Sequence, residues 1–313
     1  MHNRLTQLIK IAIRETGSDI HISVNEDLKI ECRTSAGFLN IPLKERDELL
    51  LNYLQYLSNM DIAIISKPQS GSFVFEMNNS KYYCRFALLS SLKGRNGVLR
   101  IMNETATKPL DKLIYKGEHR ALFKSWCELE SGLVLFGGAT GAGKTTTVYS
   151  MLNYMKEKKV YTLEDPIEVV YPQLTQVQIN ADAGLDYKEG IRQLLRHDPD
   201  VVMIAEIRDE ATAQAAIRCA LTGHLVISTI HASNCVGMLN RFMELGISNT
   251  ELMNVLKGIA CQKLFKLSTD EKRFSLYEVY ECHDISNYLQ NKIIKEHDFN
   301  KEIEYAYAKN WLC

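Results

Sequence analysis

The chain has 313 residues, 46% hydrophobic and 24% charged, with 37 Lys plus Arg against 38 Asp plus Glu and a net charge of −1. That length allows two domains, and the balance is that of an ordinary globular chain, not one built to coat nucleic acid. No apolar run approaches the ~18 residues of a membrane helix, and the N-terminus has no signal-peptide pattern. None of the eight cysteines forms a C-x-x-C pair, so no zinc ribbon is expected and the thiols read as reduced.

Residues 1–102 read as a small α+β domain. A helix over roughly 3–16 ends at Gly17, with Leu5, Leu8, Ile9, Ala12 and Ile13 on one face for protein or a membrane surface to cover. DIHISV alternates apolar and polar residues as a half-buried strand does. LKIECR and FLNI flank a T-S-A-G turn and predict a hairpin. LKERDELLLNYLQYLSN is helical, with Leu50, Tyr53, Leu54 and Leu57 in one stripe. FVFEM, KYYCRFALL and GVLRIM predict three more strands. Residues 103–118 are polar at both ends, carry Pro109 and Gly117, and read as a linker.

From residue 119 the pattern changes to strands alternating with helices. LVLF, VYTLE, LTQVQI, VVMIA and HLVISTI are the strands, and a helix is expected over about 143–158. Such alternation implies an α/β domain with a largely parallel, helix-covered sheet.

Directly after LVLF comes FGGATGAGKTTTVYS. Gly138, Gly143, Lys144 and Thr145 fit G-x-x-x-x-G-K-[ST]. Glycines at that spacing let backbone N–H groups turn onto phosphate oxygens, and the helix that opens there aims its positive end at the same anion. Lys144 is then placed for the β- and γ-phosphates and the Thr145 hydroxyl for Mg²⁺. The cradle comprises Gly138, Ala139, Thr140, Gly141, Ala142, Gly143, Lys144, Thr145 and Thr146.

Acids follow at strand ends. TLEDPIE offers Glu164, Asp165 and Glu168, and a carboxylate there can orient water or hold the metal through water. In DPDVVMIAEIRD an apolar strand delivers Glu206, where the commoner residue is Asp, as a metal-side acid. TGHLVISTIHAS carries His224 and His231. Seven extended steps of ~3.3 Å put them about 23 Å apart, on opposite faces, so they cannot form one dyad. His231, at the strand's C-terminal end, is the better placed to sense a γ-phosphate.

GATGAGKTT, TLEDPIE, DPDVVMIAEIRD and TGHLVISTIHA, in this order, resemble the phosphate loop, Asp box, Walker B and His box of the secretion ATPases that power type II secretion and type IV pili. GSDIHIS at 17–23 resembles that family's N-terminal signature, and LQYLSNMDIA falls where its helix packs under the first domain's sheet. The likeness spans roughly residues 1–280 and rests on four boxes together.

The resemblance implies a PAS-like α+β domain over 1–102, a linker over 103–118 and a RecA-like ATPase domain with a C-terminal extension over 119–313. It implies ATP and Mg²⁺ as ligands, with Lys144, Thr145 and Glu206 on them. Glu168 falls on the catalytic glutamate, and Glu164, His224 and His231 fall in conserved boxes of the family. Arg85, Arg95 and Arg100 lie where the first domain supplies arginines to the nucleotide, Arg100 ranking first for its place within a strand. The implied assembly is a homo-hexamer at the cytoplasmic face of the membrane, turning a polytopic inner-membrane platform protein, with no sequence-specific nucleic-acid contact and no zinc. CQKLFKL runs on to FSLYEVYE without the cysteine metal motif of secretion-type members. That is similar to the compact competence-pilus ATPases of Gram-positive bacteria, which serve DNA uptake. A conjugation-type or general secretion motor and a non-catalytic nucleotide switch are the alternatives.

Overall fold

The computed structural model describes residues 1–17, 19–34, 36–63, 67–102, 108–181, 184–266, 273–293 and 299–308. Two units emerge. One is Met1–Thr105 with Glu168–Tyr171, the other Ala106–Ile167 with Pro172–Cys313.

The first unit begins with helix α1 (His2–Arg14), followed by strands β1 (Asp19–Val24), β2 (Leu28–Thr34) and β3 (Gly37–Asn40). A 3-10 turn over Asp47–Leu49 leads into α2 (Leu50–Leu57). Strands β4 (Gln69–Met77), β5 (Ser80–Ser91) and β6 (Gly94–Met102) complete a six-stranded antiparallel sheet of order β3-β2-β1-β6-β5-β4. Each of the last three strands runs longer than its apolar motif, because polar residues at the ends still pair across the hairpins. Leu5, Leu8, Ile9 and Ala12 are buried against the sheet with Ile20, Ile22, Phe86 and Leu99. The Leu, Ile and Phe side chains among them each stabilise by about 1.5–3 kcal/mol. Ile13 stays 46% exposed, contrary to its predicted place on the buried face. At ~100° per residue it lies some 80° from Leu5, on the edge of the stripe.

The second unit starts inside the stretch read as linker. Residues 103–107 lie outside the described residues, but α3 (Leu110–Leu113) and the opening of α4 (Gly117–Glu128) occupy 108–118, with Leu110 and Ile114 buried. Those two apolar anchors among polar neighbours explain the difference. Then come β7 (Gly132–Gly137), α5 (Lys144–Tyr154), β8 (Val160–Glu164), β9 (Thr175–Gln178) and α6 (Tyr187–Leu194). They are followed by β10 (Val201–Ile204), α7 (Glu210–Leu221), β11 (Leu225–Ile230), α8 (Cys235–Glu244) and α9 (Asn249–Val255). Last are β12 (Leu256–Lys266), β13 (Arg273–Glu281), α10 (Cys282–Asn291) and α11 (Phe299–Ala308). The sheet order is β13-β12-β7-β11-β10-β8-β9, parallel from β12 to β9, with β13 antiparallel on the edge. The central strands β7, β10 and β11 are buried at every residue, as a sheet covered on both faces demands. Among the described residues no helix is long and apolar enough to cross a membrane.

Candidate active site

The parallel sheet brings four chain segments to one edge. β7 ends at Gly137, β11 at Ile230 and β10 at Ile204, and β8 ends on Glu164. The residues that follow these ends are the phosphate loop, His231 and Glu206. In doubly wound sheets the ligand crevice lies at the carboxyl ends of the strands. Two strand spacings, ~10 Å, separate β7 from β10.

The loop after β7 depends on glycine. Gly138 has φ +141° and Gly143 φ +87°. A Cβ on Gly138 would stand 2.5 Å from the Gln262 carbonyl oxygen, and one on Gly143 2.9 Å from the Gln262 amide nitrogen. α5 therefore starts tight against the loop, and no side chain caps its first turn. Helix N-termini leave unpaired N–H groups that an anion can accept. The Lys144 ammonium folds back to donate to the carbonyls of Gly138 at 2.8 Å and Ala139 at 3.1 Å. Burial pulls its pKa below the ordinary lysine value, and the nearby Glu206 charge opposes that pull. Thr145 and Thr146 are exposed at the helix start.

Glu206 sits two residues beyond β10. The amide of Ala205 donates to Leu163, that of Ile207 donates to Thr229, and Thr229 Oγ1 donates to the Ala205 carbonyl. The carboxylate is thereby anchored from both neighbouring strands. Its Oε2 accepts from Arg208 at 2.7–2.8 Å, and His231 Nε2 stands 3.2 Å from its Oε1. Arg208 escaped the sequence reading although it lies in the same motif. Glu164 is buried, and its Oε1 accepts from Thr162, Tyr149 and Gln176. Burial and the Glu164 charge drive the Tyr149 phenol far above its ordinary pKa, so it stays a donor. Tyr149 and Gln176 are contributors that sequence spacing did not suggest.

Five candidates land elsewhere. His224 precedes β11, at the opposite end of the strand from His231, and its carbonyl accepts from Gly132 at the start of β7. Its Nδ1 lies 3.1 Å from Thr222 Oγ1 and 3.3 Å from the Cys219 carbonyl, so it closes the turn after α7. The full length of β7 separates it from the phosphate loop, which removes it from the catalytic candidates. Arg95 faces the first unit's core, where it donates to Asn52 and Gln55 of α2. Arg85 and Arg100 pair across β5 and β6 on the other face, where Arg100 donates to buried Asp19 at 2.7 Å. Glu168 groups with that first unit, and its charge adds to the raised Arg100 pKa, which the Asp19 hydrogen bond dominates.

Residues 1–310 match the family described as type II/IV secretion system protein. The chain belongs to that family. This secretion-family chain is 36% identical to the competence protein ComGA of Bacillus subtilis (strain 168), over 83% of its own length and 75% of the relative's. It is 33% identical to ComGA of Halalkalibacterium halodurans, over 100% of its own length and 96% of the relative's. It is 34% identical to the type II secretion system ATPase E of Vibrio cholerae, over 82% of its own length and 52% of the relative's, so it spans about half of that protein. In fold the secretion-family chain is similar to the Legionella pneumophila ATPase DotB, with TM-score 0.78, 23% identity and coverage of 99% and 87% of the two chains. The pilus retraction motor PilT with bound ADP follows, at TM-score 0.71, 23% identity and 98% and 89% coverage.

Proposed function

We propose that the chain is the ATP-hydrolysing subunit of a competence-type pilus assembly motor. The observation that carries this is the open N-terminus of α5, with Lys144 and the positive-φ glycines Gly138, Gly141 and Gly143 around it, on the sheet edge that also presents Glu206, Glu164 and His231. Fit to nucleotide rests on that same geometry: unpaired helix N–H groups and one buried ammonium aimed at the loop. The secretion-family relatives named for competence support the pilus role.

Thr145 and Glu206 supply hard oxygen donors of the kind Mg²⁺ takes, and the described residues hold no cluster of three or more His, Cys, Asp or Glu that could cage a metal alone. Bound Mg²⁺ would neutralise charge developing on the phosphate oxygens. Lys144 covers the β- and γ-phosphates, leaving its two carbonyl partners when phosphate arrives. Glu168 is assigned the water-orienting base, His231 the γ-phosphate contact, and Glu164 the positioning of the β8 end through Tyr149 and Gln176. Arg100 and Arg85 are the arginines assigned to the triphosphate. The motor is assigned a homo-hexameric ring at the inner membrane face, acting on a polytopic platform protein.

The test is ATP turnover by the purified full chain with and without DNA, beside Lys144→Ala. Turnover that falls at least ~10²-fold in the variant and ignores DNA supports a pilus motor. DNA-stimulated turnover would assign a conjugation-type motor instead, and tight ATP binding without turnover a switch.

A further inference from the structure

We propose that Gln262 is a positioning residue for the phosphate loop, clamping the edge hairpin β12–β13 onto the start of α5. The proposal rests on the nucleotide reading above and adds a part that no local motif marks. In register, Cys261 of β12 pairs with Gly137, the last residue of β7, so Gln262 is the next residue along β12 beside the loop. Its main-chain oxygen is the atom against which Gly138 packs, and its amide is the group against which Gly143 packs. Two of the loop's three positive-φ glycines thus rest on Gln262, while Gly141 between them has open space around it.

That side chain is 1% exposed and bonded at both ends. Oε1 accepts from the Thr147 hydroxyl at 2.9 Å, and Nε2 donates to Ser275 Oγ at 3.0 Å. Thr147 is fully buried on α5, and its hydroxyl also lies 2.9 Å from the Tyr277 phenol. A hydroxyl has one proton. With that proton on Gln262, Tyr277 must donate to Thr147. Burial pushes the Tyr277 phenol up to about 12, so the donor persists at any physiological pH. Tyr277 is itself wedged against Phe123 of α4, ring centroids 5.1 Å apart. Two strands and α5 therefore meet in one hydrogen-bonded set beside the loop, with α4 packed on it through Phe123. Closed buried networks rigidify what they touch, and a half-satisfied one is costly.

None of these side chains is assigned to phosphate. Their effect is on the loop before nucleotide arrives. A loop held in its binding shape loses little freedom on binding, and a loop that samples other shapes binds with an affinity reduced by its competent fraction. Loosening the clamp acts on ground state and transition state alike, so KM rises while kcat largely survives. A merely structural residue would instead lower the active fraction and leave KM alone.

The experiment compares full-length wild type, Gln262→Ala, Thr147→Val and the double variant in steady-state ATP hydrolysis. It is paired with amide hydrogen exchange across 138–147 in the nucleotide-free protein. Each single variant is expected to raise KM about tenfold, the size of one net hydrogen bond. The double is expected to raise it no further than the larger single, because both break the same bond. Thr147→Ser, which returns the hydroxyl, is expected to recover the affinity lost in Thr147→Val. Exchange across the loop should quicken in both single variants. Unchanged KM with lowered kcat, or unchanged loop exchange, would overturn the clamp. Quickened exchange in a chain that never hydrolyses ATP would leave the clamp standing and sink the nucleotide reading instead.

Discussion

At the residue scale, Glu206 lies between Arg208 and His231 and is assigned a third neighbour, the metal. Arg208 holds one oxygen and His231 faces the other, so Mg²⁺ must draw on a carboxylate already engaged. Glu206→Gln removes the charge and keeps the shape. We expect it to raise the Mg²⁺ concentration for half-maximal turnover about tenfold, the scale of one charge-assisted contact. Glu168→Gln should instead leave the Mg²⁺ titration in place and slow turnover. The opposite pattern would mean that the two acids exchange roles. Much of this was legible because the chemistry is local: a phosphate loop needs its glycines and lysine within eight residues. His224 misled because it shares a motif with His231, and only strand length separates them. Arg95 was legible in principle, since its parity with Gly97, Leu99 and Ile101 marks the core face. Gln262 and Thr147 stand 115 positions apart, and no spacing rule could join them.

At the scale of elements, the sheets follow from alternation and the apolar runs, while the pieces that lock them are tertiary. Arg4 is a polar residue in the first turns of α1, yet it is buried on Asp47 of the 3-10 turn before α2. Its Nε and a terminal nitrogen donate to the two Asp47 oxygens at 2.9 and 2.7 Å, and that nitrogen also donates to the Pro42 carbonyl. The amide of Lys44 adds a further bond to Asp47. This ties the N-terminal helix to a loop some forty residues on, a link invisible to local pattern. Removing one partner strands a buried charge, so Asp47→Ala should destabilise the first unit by about 3–5 kcal/mol. Replacing both, as Arg4→Met with Asp47→Leu, should recover most of that loss. Denaturant unfolding of the three variants measures it, and a small effect of Asp47→Ala alone would show that water reaches Arg4. The pairing of β12 is a similar case, because it sets Cys261 beside Gly137 of β7, far earlier in the chain.

At the scale of the whole molecule, the two units have separate apolar cores with no residue in common, one around Leu5, Ile20 and Phe86, the other around Leu135, Val202 and Val226. Separate cores make separate cooperative blocks, so a single unfolding midpoint is not expected for this chain. Nucleotide gives a way to tell the blocks apart. A ligand that binds only folded protein stabilises the block that holds it by RT ln(1 + [L]/Kd), about 2.7 kcal/mol at a hundredfold excess over Kd. ADP is the right probe, since it lacks the γ-phosphate to which Arg85 and Arg100 are assigned, and so reports on the phosphate loop alone. Calorimetry of the full chain at fixed protein concentration should therefore show two transitions, of which ADP raises one. Lys144→Ala should abolish that rise without moving the transitions of the free protein much, because among the described residues the Lys144 ammonium donates just to two loop carbonyls. The raised transition belongs to the second unit, so Asp47→Ala should lower the other one and leave the ADP shift intact. A single transition that rises with ADP would mean that the chain unfolds as one block, and the assignment of independent cores would fall.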